Sequence, residues 1–325
     1  MFENKSILIT GGTGSIGQAL IKELLYNQKI RRLAIYSRDE LKQSALKDIF
    51  ASDSRLRWFL GDIRDLPRLR IALKGVDFVI HAAALKQVDT GEYNPMEFIK
   101  TNILGSSNVI EAAIDSGVQK VIALSTDKAS SPINLYGATK LTADKLFVSA
   151  NNYGKAAGTV FSVVRYGNVM GSRGSVIPFF QDLAKRNLPI PITDKRMTRF
   201  WISLDEAVKF IIDSFKIMQG GELYVPRIPS MRLIDLAEVI SPNSNWIETG
   251  IRPGEKLHEE MISSDDSRRT VLLGNRYVVN PVAAEWGYES PNGTNVPEGF
   301  AYKSDTNDLW VTKSEMSNFL SKKPV

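Results

Sequence analysis

The sequence predicts an α/β fold in which a doubly wound parallel sheet carries a smaller, mixed α/β substrate-binding region. Continuous apolar runs alternate with helical patterns through the first half of the chain, as in a parallel sheet with helices on both faces. A glycine-rich turn follows the first of these runs. The alternation weakens after about Arg165, where proline, glycine and short elements become frequent. These three observations indicate one large domain with a smaller region appended.

The first half of the chain supplies the elements of the large sheet. Six apolar runs are predicted strands: Ser6 to Thr10, Leu33 to Tyr36, Leu56 to Leu60, Val76 to Ile80, Val121 to Leu124 and Phe161 to Val164. The helical patterns between them are Ile16 to Tyr26, Glu40 to Phe50, Pro95 to Ile114 and Leu135 to Ser149. Strands that alternate with helices predict right-handed crossovers.

At 325 residues the chain exceeds the usual size of a single domain. We expect residues 1–167 to form the dinucleotide-binding domain and residues 168–325 to form mainly the substrate-binding region. The boundary is expected near Arg165 to Gly171. A helical pattern at Leu204 to Ile217 is expected to return to the main sheet, within residues 200–219.

The amino-acid composition argues against several classes of function. The chain has 41 basic and 36 acidic residues without a block of like charge, which favours anionic ligands over nucleic acid. It has no cysteine, and its two histidines, His81 and His258, lie far apart, which argues against thiolate chemistry, a histidine-based metal site and a serine–histidine triad. The amino terminus lacks the pattern of a signal peptide, and no apolar run approaches a bilayer span, so we expect a soluble, cytoplasmic protein without a metal.

Residues Gly11 to Gly17 read Gly-Gly-Thr-Gly-Ser-Ile-Gly between the first strand and the first helix. This spacing in this context is typical of the Rossmann dinucleotide site, where glycines permit a tight turn and the helix N–H groups bind a pyrophosphate. The predicted contacts are Thr13, Gly14, Ser15 and Ile16. A purely structural glycine turn is the alternative.

The end of the second strand bears on the choice of cofactor. Residues Tyr36 to Lys42 read Tyr-Ser-Arg-Asp-Glu-Leu-Lys, and a serine, an arginine and a lysine favour the 2′-phosphate of NADP, whereas Asp39 would support NAD. The alternative is that Arg38 and Lys42 form a solvated helix start. The predicted cofactor contacts here and at later strand ends are Ser37, Arg38, Asp39, Glu40, Leu41, Lys42, Asp62, Ile63, Ala82 and Val169.

A Tyr-x-x-x-Lys pair, Tyr136 and Lys140, is predicted on one face of a helix. The ammonium and an adjacent nicotinamide cation favour the tyrosine phenolate, which can accept a hydroxyl proton during hydride transfer. Residues Ser125 to Lys128 read Ser-Thr-Asp-Lys and place another carboxylate and amine nearby. The pattern therefore indicates oxidation coupled to a second proton transfer. A structural tyrosine and a solvated turn are the alternatives.

Together these features resemble the extended short-chain dehydrogenase/reductase family. Within it, four segments are similar to the inverting UDP-N-acetylglucosamine 4,6-dehydratases: residues 36–42, 125–129, 134–140 and 251–259. The resemblance extends to about Ser263. One departure is the run from Lys86 to Pro95, where Gln87 to Gly91 replace part of a more usual Lys-His-Val-Pro-type sequence at the expected edge of the sugar pocket.

The resemblance implies a reaction in which hydride leaves C4 of the sugar for NADP⁺ while Tyr136, assisted by Lys140, takes the 4-hydroxyl proton. Lys128 would then remove the C5 proton and Asp127 would protonate the departing 6-hydroxyl, with Thr126 in the same catalytic set. Retaining dehydratases commonly carry Asp-Glu where this chain has Asp127 and Lys128. Hydride return to C6 and protonation at C5 from the opposite face would give UDP-2-acetamido-2,6-dideoxy-β-L-arabino-hex-4-ulose, with NADP tightly bound and regenerated. This reaction would open the biosynthesis of pseudaminic acid or a related nucleotide sugar.

The resemblance also implies contacts to a UDP-sugar, with Asn168, Arg199 and Arg252 on the diphosphate and Lys86 on substrate or cofactor. The segment from Arg165 to Asn168 is a further source of cations and donors. The full set of predicted substrate contacts is Lys86, Ser125, Thr126, Asn168, Arg173, Gly174, Ser175, Val176, Ile177, Thr193, Arg199, Arg252 and Glu255. The helices at Pro95 to Ile114 and Leu135 to Ser149 form the pairing surface of the family, which implies a homo-oligomer, a dimer or larger.

Two other functions fit parts of the pattern. A 4-epimerase or a retaining 4,6-dehydratase on another nucleotide sugar would use the same redox pair, but neither explains the adjacent Asp127 and Lys128. A non-catalytic NADP-binding sensor would use the glycine turn alone. The presence of Tyr136 and Lys140 beside that acid and base argues against a sensor.

Overall fold

The protein is described from a computed structural model that covers residues 1–50, 53–242, 246–282 and 284–321. Its strands are β1 (Ser6–Thr10), β2 (Arg32–Ser37), β3 (Leu56–Leu60), β4 (Phe78–His81), β5 (Lys120–Thr126), β6 (Val160–Tyr166), β7 (Asn168–Val169), β8 (Ile190–Ile192), β9 (Thr198–Ile202), β10 (Leu223–Pro226), β11 (Ser230–Arg232), β12 (Trp246–Glu248), β13 (Glu260–Ile262), β14 (Thr270–Leu273), β15 (Arg276–Val279), β16 (Thr294–Asn295) and β17 (Tyr302–Lys303). Its α-helices are α1 (Ser15–Asn27), α2 (Glu40–Ile49), α3 (Leu66–Ala72), α4 (Val88–Tyr93), α5 (Pro95–Phe98), α6 (Gly105–Asp115), α7 (Leu135–Ser149), α8 (Asn151–Gly154), α9 (Val176–Lys185), α10 (Leu204–Ile217), α11 (Leu233–Ile240) and α12 (Lys313–Ser321).

Within these described ranges, the main sheet has ten strands in the order β16-β14-β15-β10-β6-β5-β4-β1-β2-β3. The seven neighbouring strands β3, β2, β1, β4, β5, β6 and β10 pair in parallel, and β15, β14 and β16 continue the sheet with antiparallel pairing. The order reverses between β1 and β4, where a crevice opens at the carboxyl ends of the strands, the usual ligand site of such sheets. The predicted doubly wound fold is confirmed, and all six predicted strands are present.

One predicted helix is interrupted. The pattern from Pro95 to Ile114 predicts a continuous helix, but α5 is followed by a π-helical segment at Ile99–Leu104 and only then by α6. Asn102 lies in that segment, and its side chain accepts a hydrogen bond from Leu85 N at 2.8 Å and donates one to Leu85 O at 2.9 Å. The wider turn thus aims an amide at the loop after β4. Hydrophobic periodicity does not register this change because both helix types keep an apolar face toward the sheet.

The second half of the chain builds a separate hydrophobic cluster around Trp201, to which α9, β8, β9, β11, α11 and α12 contribute. Helix α10 instead packs against α1 and the main sheet. It begins with a capping box in which Glu206 N donates to Ser203 Oγ at 3.2 Å and Ser203 N donates to Glu206 Oε2 at 2.9 Å. The domain limits of 1–167 and 168–325 stay a prediction, and residues 243–245, 283 and 322–325 of the second range lie outside the described residues.

Across the described ranges, the helices are too short or too polar to span a bilayer.

Candidate active site

A cavity of about 750 Å³ lies at the carboxyl ends of β1, β4 and β5. It extends from the glycine turn at Gly11 past Ala83 to Tyr136 and the turn after β5. The size falls within the range of small-molecule sites, roughly 300–1,000 Å³. One cavity therefore contains both the predicted dinucleotide site and the predicted acid–base groups.

The glycine turn is shaped by close backbone contacts. Gly11 has a φ of +67°, and a Cβ there would lie 2.8 Å from the backbone N and Cα of Ala83. A Cβ on Gly17 would lie 2.4 Å from Gly12 O, so a side chain there would separate α1 from the turn. Gly14 precedes α1 without a side-chain cap, which leaves the first N–H groups of the helix directed toward the cavity.

Beyond β2, three side chains line the cavity with opposite charges. The carboxylate of Asp39 caps α2 by accepting a hydrogen bond from Lys42 N at 2.9 Å, and it also pairs with Lys42 Nζ at 2.5 Å. The half-exposed guanidinium of Arg38 has a single long ion contact within the described chain, 3.7 Å to Asp62 Oδ2. The carboxylate is thus held by the protein itself, whereas Arg38 keeps most of its donors for a ligand.

The segment after β7 folds back over the glycine turn. Arg173 donates from its backbone N to Ser15 Oγ at 3.2 Å and from Nη2 to Thr13 O at 2.5 Å. Lys86 Nζ in turn donates to Arg173 O at 2.9 Å. Lys86, Arg173, Gly174 and Ser175 therefore meet at one side of the cavity, as expected for groups that contact one ligand.

The turn after β5 carries the predicted acid and base. Thr126 Oγ1 accepts a long bond of 3.4 Å from Lys128 N and donates to Asp127 Oδ1 at 2.9 Å. Lys128 Nζ lies 3.0 Å from Asp127 Oδ1 and 3.5 Å from Glu259 Oε1. Asp127 is 1% exposed, and its Oδ2 accepts no hydrogen bond from the described residues. An acceptor that is buried and unpaired at a cavity wall is suited to a ligand hydroxyl.

The charge on this turn follows from its neighbours. Burial lowers the pKa of Lys128, but the carboxylates of Asp127 and Glu259 more than offset that effect and hold its pKa above the ordinary value. Lys128 and Asp127 therefore form an ion pair before any ligand binds.

Tyr136 and Lys140 lie on α7, which begins at an Asn134 cap that accepts a hydrogen bond from Gly137 N at 2.7 Å. Burial raises the pKa of Tyr136 to about 12, Lys128 acts against this rise, and Asp127 adds to it. Lys140 Nζ donates to Leu124 O at 2.7 Å. Lys128 is the nearby cation that lowers the pKa of Tyr136 in this structure, and the expectation that Lys140 also favours the phenolate stays a prediction.

Helix α7 is anchored by a buried ion pair. Asp144 Oδ2 accepts hydrogen bonds from Arg165 Nη2 at 3.0 Å and from Ser125 Oγ at 2.7 Å. Arg165 is 3% exposed, and its Nη1 donates to Met261 O at 2.9 Å. The suggestion that Arg165 supplies a cation to a diphosphate is wrong, since its guanidinium is buried between β6, α7 and β13.

Most predicted site residues line this cavity. The cofactor group comprises Thr13, Gly14, Ser15, Ile16, Ser37, Arg38, Asp39, Lys42, Asp62, Ile63, Ala82 and Val169, and the remainder comprises Lys86, Ser125, Thr126, Asp127, Lys128, Tyr136, Lys140, Asn168, Arg173, Gly174 and Ser175. The structure does not bring the other predicted contacts to the cavity wall, namely Glu40, Leu41, Val176, Ile177, Thr193, Arg199, Arg252 and Glu255.

Arg199 is one of the predicted substrate contacts that does not line the cavity. It is buried, with Nη1 donating to Thr198 O at 2.7 Å and to Leu257 O at 3.1 Å and Nη2 donating to Lys256 O at 3.0 Å. In this state it holds the segment before β13 in place. Arg252 lies on the same segment with its side chain exposed.

Two residues that the sequence analysis did not select belong to the site. Thr101 reaches the cavity from the π-helical segment, and its buried Oγ1 has no hydrogen-bond partner among the described residues. Glu259 contacts Lys128 from the loop before β13. Glu259 stands in one of the four segments that carry the family resemblance, so the motif pointed to it, whereas the periodicity around Thr101 gives no such signal.

Three comparisons place the chain among known proteins. Residues 7–281 match the family described as polysaccharide biosynthesis protein. A UDP-N-acetylglucosamine 4,6-dehydratase (inverting) from Campylobacter jejuni subsp. jejuni serotype O:23/36 (strain 81-176) is 53% identical over 330 residues, which cover 99% of this chain and 98% of that protein. A UDP-glucose 4-epimerase from Rickettsia bellii (strain RML369-C) is 43% identical over 284 residues, which cover 85% of this chain and 83% of the epimerase. The X-ray structure of Pen from Bacillus thuringiensis superposes with a TM-score of 0.91 at 38% identity and covers 98% of both chains.

Proposed function

Because the chain belongs to the polysaccharide biosynthesis protein family, a branch of the extended short-chain dehydrogenases/reductases, we propose that it is a UDP-N-acetylglucosamine 4,6-dehydratase that inverts C5. The product is UDP-2-acetamido-2,6-dideoxy-β-L-arabino-hex-4-ulose. The full-length similarity to the Campylobacter jejuni inverting dehydratase supports both the substrate and the reaction class.

One observation carries the proposal: Lys128 Nζ lies 3.0 Å from Asp127 Oδ1 in the same cavity as Tyr136. A dehydrogenase or an epimerase needs one group to move the 4-hydroxyl proton. Elimination of water needs two more groups, a base at C5 and an acid at the 6-hydroxyl. The adjacent amine and carboxylate supply this second pair.

The site fits a nicotinamide dinucleotide. The pyrophosphate would lie on the N–H groups at the start of α1, where Gly11 leaves no room for a Cβ beside Ala83. We propose NADP, held at its 2′-phosphate by Ser37, Arg38 and Lys42, because Asp39 is already occupied by Lys42. When bound, the nicotinamide supplies a hydride acceptor for C4 and a hydride donor for C6, and its ring charge favours the Tyr136 phenolate.

Tyr136 takes the proton of the sugar 4-hydroxyl. Because burial raises the pKa of Tyr136 to about 12, its ionisation needs nearby positive charge, and Lys128 supplies part of it. The ammonium form of Lys128 is thus useful in the first half of the reaction. Lys140, which donates to Leu124 O, holds the strand end against α7.

Elimination follows from a proton shift inside the Asp127–Lys128 pair. Transfer of one proton from the ammonium to the carboxylate gives a neutral amine and a carboxylic acid without a net change in charge. The amine then takes the C5 proton, which the C4 ketone has made acidic, and the acid protonates the departing 6-hydroxyl to release water. The ion pair is restored. As C6 is reduced, a proton from solvent reaches C5 from the opposite face, and Tyr136 releases to solvent the proton that it took from the 4-hydroxyl, so the net change is the loss of one water.

A 4-epimerase is the second candidate, favoured by the 43% identity to the Rickettsia bellii UDP-glucose 4-epimerase. An epimerase would use Tyr136 and the nicotinamide but would leave the C5 hydrogen in place. The pair of Asp127 and Lys128 would then have no proton to transfer.

Incubation with UDP-N-acetylglucosamine in heavy water, followed by NMR, tests the proposal. We expect a 4-keto-6-deoxy product with deuterium at C5. A 4-epimer with an unexchanged C5 hydrogen would favour the epimerase. An unchanged substrate in the presence of bound cofactor would refute the proposed substrate.

We further propose that the enzyme acts in the cytoplasm as a homo-oligomer and opens the pathway to pseudaminic acid or a related sugar. The exposed side chains of Tyr93, Met96 and Leu104 near the predicted pairing helices support an oligomer. Mass photometry at low concentration tests this, with a monomer as the contrary result.

A further inference from the structure

A buried carboxylate lies beside the acid–base pair and has no role in the steps above. Glu259 is 2% exposed, and its Oε1 lies 3.5 Å from Lys128 Nζ and 3.6 Å from Arg199 Nε. Its Oε2 has no hydrogen-bond partner among the described residues. A carboxylate that is buried with only ion contacts costs free energy, which is consistent with a functional use.

The backbone fixes Glu259 in this position. Its N–H donates to Ser304 Oγ at 2.9 Å, and Ser304 N donates back to Glu259 O at 2.8 Å. The next residue, Glu260, accepts hydrogen bonds from Ser130 Oγ at 3.0 Å and Ser131 Oγ at 2.6 Å. The start of β13 is therefore tied to the turn that carries Lys128, and the Glu259 backbone keeps its place beside that turn.

Lys128 thus lies between two carboxylates, Asp127 from its own turn and Glu259 from across the cavity wall. Among the residues that the structure describes, its other charged or titratable neighbours include the cations Arg199, Lys86 and Lys256 and the phenol of Tyr136. The Lys128 side chain is 27% exposed and reaches the cavity with its amine. A contact with Asp127 alone leaves the Lys128 side chain free to change rotamer while its amine stays near that carboxylate. The second contact, with Glu259, restricts the side chain to one rotamer.

We propose that Glu259 is a positioning residue for Lys128, whose carboxylate holds the Lys128 amine beside Asp127 and in line with C5 of the bound sugar. This inference rests on the proposed function. Glu259 takes up neither of the protons that move: the C5 proton moves to Lys128, and the Asp127 proton moves to the departing oxygen. Misplacement of a reacting group by about 1 Å costs on the order of 100-fold in rate.

The test compares wild type with Glu259→Gln, in the complete protein with UDP-N-acetylglucosamine as substrate. At the pH optimum we expect kcat for dehydration to fall at least about tenfold, with KM and the rate of C4 oxidation nearly unchanged. The limb of the kcat–pH profile that reflects the titration of Lys128 should also move to lower pH. The Glu259 carboxylate raises the pKa of Lys128, and an uncharged glutamine removes that effect. A purely structural role would not move this limb.

If Glu259→Gln folds poorly, Glu259→Asp still tests the inference, because its shorter side chain withdraws the carboxylate from Lys128 Nζ: kcat should lie below wild type, and a wild-type kcat would overturn the inference. Glu259→Asp retains the charge, so we expect the limb to stay at its wild-type pH and part of the rate to return. Glu260→Gln alters the neighbouring carboxylate that bonds Ser130 and Ser131, and its limb should also stay in place. If the wild-type enzyme dehydrates the substrate but Glu259→Gln has a normal kcat and an unshifted limb, this inference is overturned and the proposed function still stands. Absence of dehydration by wild type would overturn the proposed function, and the inference with it.

Discussion

Lys128 Nζ lies 3.0 Å from Asp127 Oδ1, so the base and the acid proposed for elimination are within hydrogen-bonding distance and a proton can pass between them. The two residues are adjacent in sequence, and the short turn after β5 presents both side chains to one cavity. The reactive form therefore differs from the resting form only in the position of one proton. This arrangement separates a dehydratase from an enzyme that only oxidises and reduces C4.

Replacement of Lys128 by alanine should abolish elimination and leave the cofactor bound. We expect C4 oxidation to persist, visible as reduced-nicotinamide absorbance, but its pH profile should move to higher pH. Lys128 lowers the pKa of Tyr136, so its removal raises that pKa and the phenolate forms only at higher pH. Lys195→Ala, at an exposed lysine that contacts Glu248, is the control and should behave as wild type. Near-normal product formation by Lys128→Ala would contradict the assignment of the base.

Replacement of Tyr136 by phenylalanine should stop the reaction one step earlier. A general acid–base group contributes about 10²–10⁴-fold, so we expect a loss of that size in both C4 oxidation and product formation. The expected pattern is that reduced nicotinamide and deuterium at C5 both appear more slowly by that factor. Tyr153→Phe, at an exposed tyrosine on α8, is the matched control. C5 exchange at the normal rate in Tyr136→Phe would contradict the order of steps.

Cofactor preference should depend on Arg38. Loss of a charge-assisted hydrogen bond costs about 1.5–3 kcal/mol, so Arg38→Ala should weaken NADP binding on the order of tenfold to 100-fold and leave NAD binding nearly unchanged. Titration calorimetry with each dinucleotide measures both constants. Lys47→Ala, near the other end of α2, should change neither. Equal losses for NAD and NADP would indicate that Arg38 does not contact a 2′-phosphate.

The buried pair of Asp144 and Arg165 should matter for stability. Removal of one partner of such a pair costs about 3–5 kcal/mol, because the other charge remains buried. We expect Asp144→Asn to lower the free energy of unfolding by about that amount in urea denaturation. Asp182→Asn breaks an exposed pair with Arg186 and should cost less than about 1 kcal/mol. Similar losses for the two variants would mean that the buried pair adds nothing beyond a surface contact.

The sequence predicts six strands of the large sheet because most of them are apolar runs, and it predicts the glycine turn because its local spacing is one that a single backbone geometry requires. It does not predict β10, β14, β15 and β16, which come from the second half of the chain and complete the sheet. It also predicts the cofactor side of the cavity, because the glycine turn and the ends of the predicted strands form that side. It fails at Arg165, since a cation at a strand end can point into a crevice or into the core, and only the partner, Asp144, decides which. It also fails to select Thr101, because a π-helical segment leaves no periodic signal. It includes Glu259 in a family motif but does not show the contact of Glu259 with Lys128, which joins two distant loops.

The central claim is that hydride leaves C4 and returns to C6 of the same sugar while C5 inverts. The most direct measurement uses UDP-N-acetylglucosamine with deuterium at C4, in ordinary water, with the product analysed by NMR. We predict a single 4-keto-6-deoxy sugar of L-arabino configuration that carries the deuterium in its C6 methyl group. A product that retains deuterium at C4, or a 6-deoxy sugar with the original C5 configuration, would contradict the account.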